Sequence, residues 1–158
     1  LKFEPFEAEP FLKRIIDRWQ PRMARVNVKP ILSVEKDLRK VIGDPRSLEN
    51  VFTNLISNAL EAMTETGDTL AVKAVMVNEI NGHPAVEISV SDNGPGIPED
   101  VKERIFEPFV TTRKMGTGLG LAITKQIVNA HKGSLRVDSF PGGTVFTVQL
   151  PAEREESK

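Results

Sequence analysis

Apolar and polar residues follow two different periods along the chain. Apolar residues recur every three or four positions in some stretches, which predicts helices, and alternate with polar residues in others, which predicts strands. The predicted helices cover residues 10–21, 45–63, 99–105 and 116–131. The predicted strands cover residues 26–34, 38–42, 70–77, 85–91, 134–139 and 144–150. The chain is therefore expected to combine helices with a sheet.

Prolines and polar clusters set several of the predicted boundaries. Pro21 should kink or end the first helix, because proline has no backbone N–H. Asp44-Pro45 is typical of a helix start, with a capping carboxylate before a proline in the first position. Residues 78–84 are predicted to be a loose connection between two antiparallel strands. The first of these, 70–77, is apolar on both faces and should be central in the sheet.

A few residues are assigned to the core or to the surface from their positions. Trp19 lies on the apolar stripe of the first predicted helix and is assigned to the core. The stripe of the last predicted helix contains Leu119, Ala122, Ile123, Ile127 and Ala130. His131 comes at the end of that helix, where a cation caps well, and is predicted to be structural. His83 lies among polar turn residues and is predicted to be solvent-exposed.

Size and composition indicate one soluble globular domain over residues 1–158. Hydrophobic residues make up 39% of the chain and charged residues 27%, and the formal net charge of -1 indicates no bulk attraction to nucleic acid or to an anionic membrane. The absence of cysteine excludes disulfides, thiolate metal sites and cysteine nucleophiles. Because the sequence starts at Leu1 and contains no membrane-spanning stretch, we expect a cytoplasmic domain excised from a longer protein, which itself could be membrane-anchored.

A carboxylate lies at the end of one predicted strand. The alternating stretch 85–91 delivers Asp92 into a loop rich in glycine and proline. An ionised aspartate only accepts hydrogen bonds, which suits a ligand amino group. Gly94 and Gly96 have no Cβ, so a flat ligand can approach the backbone there. The alternative is a hairpin turn capped by the aspartate.

The predicted helix over 45–63 has a polar stripe beside its apolar one. The stripe consists of Asn50, Asn54, Asn58 and Glu61. It should lie at the edge of the core, where a pocket wall would be. Asparagine is a poor helix former, so its repetition favours a ligand site over a merely solvated face, which is the alternative.

The stretch from Pro98 to Thr117 has little predicted regular structure after its short helix. It contains two exposed-looking aromatic residues, Phe106 and Phe109, and the adjacent cations Arg113 and Lys114. Such long irregular spans in compact domains are often functional lids. The alternative is a disordered surface loop.

Glycines also introduce the last predicted helix, over residues 116–120. A glycine-rich helix start exposes backbone N–H groups at the positive end of the helix dipole, which suits phosphate. The alternative is a tight loop–helix junction required for packing. The Walker lysine motif and the strand-borne dinucleotide motif are both absent, so a nucleotide would have to be held in another way.

Four motifs in this order resemble the ATP-binding catalytic domain of bacterial sensor histidine kinases, within the GHKL superfamily. Residues 54–59 resemble its N box, 92–96 its first glycine box, 106–109 its F box and 116–120 its second glycine box. The sequence of residues 107–113, Glu-Pro-Phe-Val-Thr-Thr-Arg, resembles that of the nitrogen-regulation type of sensor kinase. The resemblance implies an α/β sandwich of the Bergerat type: a mixed, largely antiparallel sheet covered on one face by three helices.

The resemblance also implies roles for the matched positions. Asn58 would offer its amide oxygen to Mg²⁺, and Asn54 would support the same end of the site. Asp92 would accept a hydrogen bond from the adenine amino group, with Gly96 and a water held by Thr144 completing recognition of the base.

The remaining implied roles concern the phosphates. The amides of Gly118 and Gly120 would face phosphate, and Arg113 or Lys114 would neutralise the γ-phosphate as the lid closes. The other positions expected to contact nucleotide are Glu61, Gly94, Ile97, Phe109, Thr112, Gly116, Thr117 and Leu119.

Two positions depart from the family pattern. Many members carry a basic residue where Glu61 stands, so more of the phosphate charge would fall to the lid and the metal. The ATP-hydrolysing relatives carry a glutamate general base where Asn54 stands, and an amide cannot take a proton from water. This difference favours phosphoryl transfer over hydrolysis.

The expected function is that of a protein-histidine kinase. The chain would bind MgATP and transfer the γ-phosphoryl group to a histidine on a separate dimerisation and phosphoacceptor domain, expected N-terminal to it, and so act indirectly on a response regulator. ATP and ADP would be its small-molecule partners, without contact to nucleic acid or membrane. The alternatives are an ATP-driven conformational module and a nucleotide-binding pseudo-kinase.

Overall fold

A computed structural model of the chain describes residues 1–80, 82–108 and 120–154. Within these residues, regular elements cover most of the chain. In chain order the elements are β1 (Glu4–Phe6), α1 (Ala8–Arg25), β2 (Lys29–Val34), β3 (Val41–Gly43), α2 (Pro45–Ala62), β4 (Thr69–Ile80), β5 (His83–Asp92), α3 (Glu99–Lys102), α4 (Gly120–Ala130), β6 (Ser134–Phe140) and β7 (Gly143–Pro151).

The main sheet has five strands in the order β2-β4-β5-β7-β6. Strands β2 and β4 are parallel, and the other neighbours are antiparallel. The short strands β1 and β3 form a separate antiparallel pair. The prediction of a mixed, largely antiparallel sheet is therefore confirmed, as is the interior position of β4 beside β5.

The hydrophobic core lies between this sheet and the three long helices. Helix α1 contacts β2, α2 contacts β5, and α4 contacts both β6 and α2. On β5 the alternation works as the sequence predicts: Val86, Ile88 and Val90 are buried, and the polar residues between them are partly exposed. The α/β sandwich predicted from the resemblance is thus the observed architecture.

Helix α1 does not end at Pro21, although an end there was one of the two outcomes that the sequence predicted for this proline. It begins at Ala8 and continues to Arg25. Proline removes one backbone hydrogen bond, but Met23, in the turn beyond it, is 1% exposed. Because Trp19 and Met23 continue the same buried stripe, packing on the sheet maintains the helix through the proline.

The connection between β4 and β5 is shorter than predicted. Most of the segment 78–84, expected to be a loose connection, belongs to the two strands. The register of the pair shifts between Val77 and Ile80, so a β-bulge absorbs the irregular pairing that the polar sequence suggested. His83 is exposed at the start of β5, as predicted.

The buried residues of α4 follow the predicted stripe only in part, because Ala122 is buried as predicted and Ile123 is not. Ile123 is 46% exposed, whereas Thr124 and Val128 are fully buried. Periodicity alone could not choose between two apolar faces of this helix. Thr124 can be buried against α2 without loss of hydrogen bonding, because its hydroxyl donates to the Gly120 carbonyl oxygen of its own helix and accepts from Asn54 of α2.

His131 joins the end of α4 to the start of α2. Its ring is fully buried, and its Nε2 accepts a hydrogen bond from the backbone N–H of Asp44 at 3.0 Å. Its Nδ1 lies 2.8 Å from the carbonyl oxygen of Ile127, so this network places the proton on Nδ1. The ring of Phe3 stacks on it with centroids 4.9 Å apart. His131 is structural, as predicted, but it acts as a neutral acceptor and not as a cationic cap.

Replacing His131 with leucine tests this connection. We expect His131→Leu to lower the free energy of unfolding by about 1–3 kcal/mol, because the Asp44 N–H loses its acceptor inside the fold. Urea denaturation of the two chains measures the difference. The matched control is His83→Leu at an exposed position, with an expected change within about 0.5 kcal/mol. Equal effects of the two substitutions would contradict the assignment.

Candidate functional site

The carboxylate of Asp92 is held at the end of β5 in a partly desolvated position. The residue is 9% exposed and pairs with Leu70 on β4 and with Thr144 on β7. Its Oδ1 accepts a hydrogen bond from the Gly94 N–H at 2.9 Å. Burial raises the pKa of Asp92, and the bond from Gly94 only partly opposes this effect. A ligand N–H group that reached this carboxylate would therefore donate a hydrogen bond to a charge whose loss of hydration is only partly compensated in the fold.

The loop after Asp92 does not form the hairpin turn that was the alternative interpretation. The bond to the Gly94 N–H is of the kind expected for an aspartate-capped turn, but the chain continues through residues 93–98 into α3. The side chain of Asn93 fixes the path of this loop by hydrogen bonds to the backbone at the start of β4. Its Oδ1 accepts from the backbone N–H groups of Asp68 and Thr69, both at 2.9 Å. Asn93, which connects the loop to the start of β4, was not assigned a role from the sequence.

Two glycines let this loop pack closely between neighbouring elements. A Cβ on Gly94 would lie 3.1 Å from both the carbonyl oxygen of Ala62 and Oδ1 of Asp92. Gly96 has φ +89°, and a Cβ there would lie 2.4 Å from the carbonyl oxygen of Phe140. The loop is thus confined between the end of α2 and the β6–β7 hairpin, and the space freed by the missing Cβ atoms is filled by the protein itself, not left for a flat ligand as the sequence predicted.

The hairpin contributes two hydroxyl groups beside Asp92. Thr144 is 3% exposed, and its Oγ1 lies 3.0 Å from Oγ of Ser139. Ser139 also accepts a hydrogen bond from the Ile97 N–H at 2.7 Å. Thr144 and Ile97 were predicted site residues, but Ser139 was not. In the sequence Ser139 is distinguished only as a small polar residue shortly before the turn at 141–143, which does not indicate a role in a site.

The polar stripe of α2 lies at the edge of the core, as predicted. Asn54, Asn58 and Glu61 are half-buried, whereas Asn50 is exposed. Nδ2 of Asn54 donates to Oγ1 of Thr124 at 3.2 Å and lies 3.5 Å from the carbonyl oxygen of Gly120.

Thr124 completes this connection to the start of α4. Its own hydroxyl donates to the Gly120 carbonyl oxygen at 2.8 Å. The first turn of α4 is therefore tied to α2 through Asn54. The sequence did not identify Thr124, because a threonine inside an apolar helix carries no functional signal by itself.

Helix α2 spans the distance between the two glycine-containing segments. Asn54, Asn58 and Ala62 follow one another at intervals of four residues and so lie on one side of the helix, about 12 Å from first to last. Asn54 faces the start of α4, and Ala62 faces Gly94. The structure thus brings the acid, the asparagine stripe and the helix start into one site, with Asn58 between its ends.

The start of the predicted lid packs more firmly than expected. Helix α3 covers only Glu99–Lys102, shorter than the predicted 99–105. Phe106 is half-buried, with its ring edge-on to that of Phe146 at 6.4 Å and Nζ of Lys125 5.3 Å from its centroid. It is therefore not an exposed aromatic residue, because the sheet provides a partner that the local sequence did not reveal.

The rest of the lid lies outside the described residues. This concerns the predicted site residues Phe109, Thr112, Arg113, Lys114, Gly116, Thr117, Gly118 and Leu119. Among the residues that the structure does describe, no three of histidine, cysteine, aspartate and glutamate are grouped so that they could hold a metal ion. No helix in the same part of the chain is long and apolar enough to cross a membrane.

Comparison with known proteins identifies a family whose members match most of the chain. Residues 43–154 match the family model described as "Histidine kinase-, DNA gyrase B-, and HSP90-like ATPase". Sporulation kinase A of Bacillus subtilis is 43% identical over 120 residues, which cover 75% of this chain and 19% of that protein. Sensory histidine kinase/phosphatase NtrB of Klebsiella oxytoca is 35% identical over 133 residues, which cover 81% and 38%. The chain thus spans between a fifth and two fifths of these relatives.

Solved structures agree with the architecture. The nucleotide-free catalytic domain of histidine kinase ThkA superposes with a TM-score of 0.83 at 29% identity, over 96% of this chain and 97% of that one. Full-length ShkA, solved in complex with AMPPNP, gives 0.85 at 29% identity, over 99% and 32%. The predicted sandwich is therefore shared over nearly the whole chain.

The raised pKa of Asp92 leads to a prediction for the chain without ligand. Because the folded pKa lies above the ordinary value of 3.8, protonated Asp92 contributes to the stability of the parent at low pH, and this contribution is lost as the pH rises through the folded pKa. Asp92→Asn keeps an oxygen for the Gly94 N–H but removes the buried charge. We expect it to melt at a higher temperature than the parent at about pH 7.5, and this gain should shrink towards zero as the pH falls to about 3.8.

The control is Asp17→Asn, at an exposed position of α1. It should show no comparable gain at neutral pH. A melting temperature for Asp92→Asn that equals or falls below that of the parent at every pH would contradict the assignment of a costly buried carboxylate.

Proposed function

The chain belongs to the Histidine kinase-, DNA gyrase B-, and HSP90-like ATPase family, and from this premise we propose that it is the ATP-binding catalytic domain of a sensor histidine kinase. It binds MgATP and transfers the γ-phosphoryl group to a histidine on another domain. The observation that carries the proposal is that α2 contacts the loop after Asp92 at its end, through Ala62, and the start of α4 through Asn54. Named sensor kinases among the relatives support it.

Recognition of the base depends on Asp92. An ionised carboxylate accepts hydrogen bonds and donates none, so it pairs with the amino group of adenine and repels the carbonyl oxygen that guanine carries at that place. Thr144 lies opposite Asp92 across the β5–β7 pair and adds a hydroxyl to the same edge. Gly94 and Gly96 let the loop beside Asp92 pack closely against α2 and the β6–β7 hairpin.

The phosphate end is formed by the start of α4. The first N–H groups of a helix have no partner within the helix, and they suit phosphate oxygens. Asn54 and Thr124 bind the Gly120 carbonyl oxygen, which fixes this helix start beside α2. Gly118 is proposed to add a further backbone donor, and Arg113 or Lys114 to neutralise the γ-phosphate.

The proposed binding of ATP requires Mg²⁺, and the side chains around the site are compatible with this ion. The described residues contain no cluster of three acidic or histidine side chains for a metal. The ion is proposed to bind together with the nucleotide. Mg²⁺ takes oxygen ligands, often few from the protein and the rest from phosphates and water. The amide oxygen of Asn58, half-buried between the two ends of the site, is the proposed ligand. Bound Mg²⁺ would neutralise charge on the phosphate oxygens.

The phosphoacceptor must come from outside this domain. Both ring nitrogens of His131 are engaged in the buried connection to α2, so this side chain cannot attack a phosphate. His83 lies at the opposite end of β5 from Asp92, about 30 Å away along the strand. The chain contains no other histidine. A histidine on a separate dimerisation domain satisfies the requirement, and a response regulator would take the phosphoryl group from it.

Position 54 favours transfer over hydrolysis. The Asn54 side chain donates to Thr124 and faces the Gly120 carbonyl oxygen, so it supports the helix start and does not act on water. An amide also cannot serve as a general base. The chain's part in catalysis is therefore to position the nucleotide and stabilise its charge, while the partner supplies the nucleophile.

The subtype is a finer proposal. The motif wording favours the nitrogen-regulation type, and NtrB proteins among the relatives support it. Sporulation kinase A and the sensor protein DctB of Rhizobium meliloti are 43% and 41% identical over similar lengths, so the similarity is not confined to that type.

A transfer assay tests the proposal. The chain, the phosphoacceptor domain of its own parent protein and γ-labelled ATP are mixed, and we expect acid-labile, base-stable label on the acceptor. Asn58→Ala should lower the rate at least about tenfold, because a charge-stabilising contact near the phosphates is lost. Asn129→Ala, an exposed asparagine on α4, is the matched control and should transfer normally.

Other products would indicate the other functions. Free phosphate formed without any acceptor would identify an ATP-driven conformational module. Tight nucleotide binding with neither product would identify a pseudo-kinase. Unchanged transfer by Asn58→Ala, with normal transfer by the control, would show that the proposed metal ligand is wrong.

A further inference from the structure

Ser139, near the end of an edge strand, makes three polar contacts through its hydroxyl. It lies on β6, half-buried, one residue before Phe140. Its Oγ accepts from the Ile97 N–H at 2.7 Å, lies 3.0 Å from Oγ1 of Thr144, and lies 3.3 Å from the carbonyl oxygen of Gly143. These contacts join the loop after Asp92 to the β6–β7 hairpin.

The same junction is tightly packed along its backbone. A Cβ on Gly96 would lie 2.4 Å from the Phe140 carbonyl oxygen, and a Cβ on Gly143 would lie 2.8 Å from the Asp92 carbonyl oxygen. The loop and the hairpin therefore meet without intervening side chains on these two sides. The Ser139 hydroxyl adds a hydrogen bond across the contact, between residues 42 positions apart.

The hydrogen-bonding capacity of the hydroxyl restricts Thr144. A serine hydroxyl has one proton to donate, and Ile97 already occupies one of its acceptor positions. If Ser139 donates to the Gly143 carbonyl oxygen, Thr144 must donate to Ser139 and offers only acceptor positions to its surroundings. If Ser139 donates to Thr144, the threonine proton is free to point elsewhere. In the first arrangement Thr144 can only accept hydrogen bonds from its surroundings, and in the second it can also donate one, so the proton of Ser139 decides which character Thr144 presents.

We propose that Ser139 is a positioning residue for purine recognition, which holds Ile97 and Thr144 in place beside Asp92 and sets the donor or acceptor character that Thr144 presents to the base. The inference rests on the proposed function, since it requires a purine at Asp92. Ser139 itself need not touch the nucleotide. Its loss should affect the base end of the site and leave the phosphate end, about 12 Å away along α2, intact.

Nucleotide titrations of Ser139→Ala test the inference. We expect the Kd for ATP and the Kd for ADP to rise by the same factor, roughly tenfold, because the lost hydrogen bonds lie at the base and not at the phosphates. The preference for ATP over GTP should fall, because Thr144 is free to rotate. In the transfer assay the KM for ATP should rise while kcat at saturating ATP stays close to that of the parent.

Two further variants separate positioning from a general structural effect. Ser139→Thr retains the hydroxyl and should restore most of the affinity and of the ATP preference. Ser134→Ala removes an exposed serine at the other end of β6 and should bind like the parent. If Ser139→Ala does not fold, Thr144→Val serves instead. It keeps the shape of the side chain and should lose the ATP preference.

The outcomes distinguish this inference from the proposed function. Parent-like ATP binding and ATP preference in Ser139→Ala, or in Thr144→Val where that variant is needed, would overturn the inference alone. A fall in kcat without a rise in KM would also overturn it, because that would place the effect at the phosphates. A parent chain that binds no ATP would overturn the proposed function and the inference together.

Discussion

The burial of one carboxylate at the end of a strand is the constraint on which the site depends. Asp92 cannot withdraw towards solvent, because β5 is paired along its length with β4 on one side and β7 on the other. The sheet therefore maintains a carboxylate whose pKa is raised by burial. Binding of an amino group recovers interaction energy that folding alone does not, so affinity for a ligand and stability of the empty fold oppose each other at this residue.

A second feature is the way in which α2 and α4 are joined. The end of α4 binds the start of α2 through His131 and the Asp44 N–H, and the start of α4 binds the middle of α2 through Thr124 and Asn54. Two connections about a helix length apart fix both the position and the rotation of α4. The start of α4 is thereby placed relative to the asparagine stripe, and the proposed function needs this kind of preorganisation for charge stabilisation.

The polar residues that position the site are small and uncharged. Asn93, Thr124 and Ser139 each satisfy backbone groups or other side chains across element boundaries, and each supports a neighbour that the motif analysis did single out. This division explains why an aspartate and an asparagine in motifs could be recognised, whereas their supports could not. The supports carry generic hydrogen-bonding chemistry, and only their location gives them a role.

The sequence by itself determined what depends on neighbouring residues. Three local patterns are present in the fold. The strand that delivers Asp92 alternates with a period of two residues, and the polar stripe of α2 repeats about every four. The carboxylate of Asp44 caps a helix that begins at the next residue. Tertiary structure alone decided the continuation of α1 through Pro21 and the burial of Phe106. It also decided the roles of Thr124, His131 and Ser139, whose partners lie 70, 87 and 42 residues away along the chain. A local rule cannot foresee these outcomes, because the burial and hydrogen bonds that decide them come from elements distant in sequence.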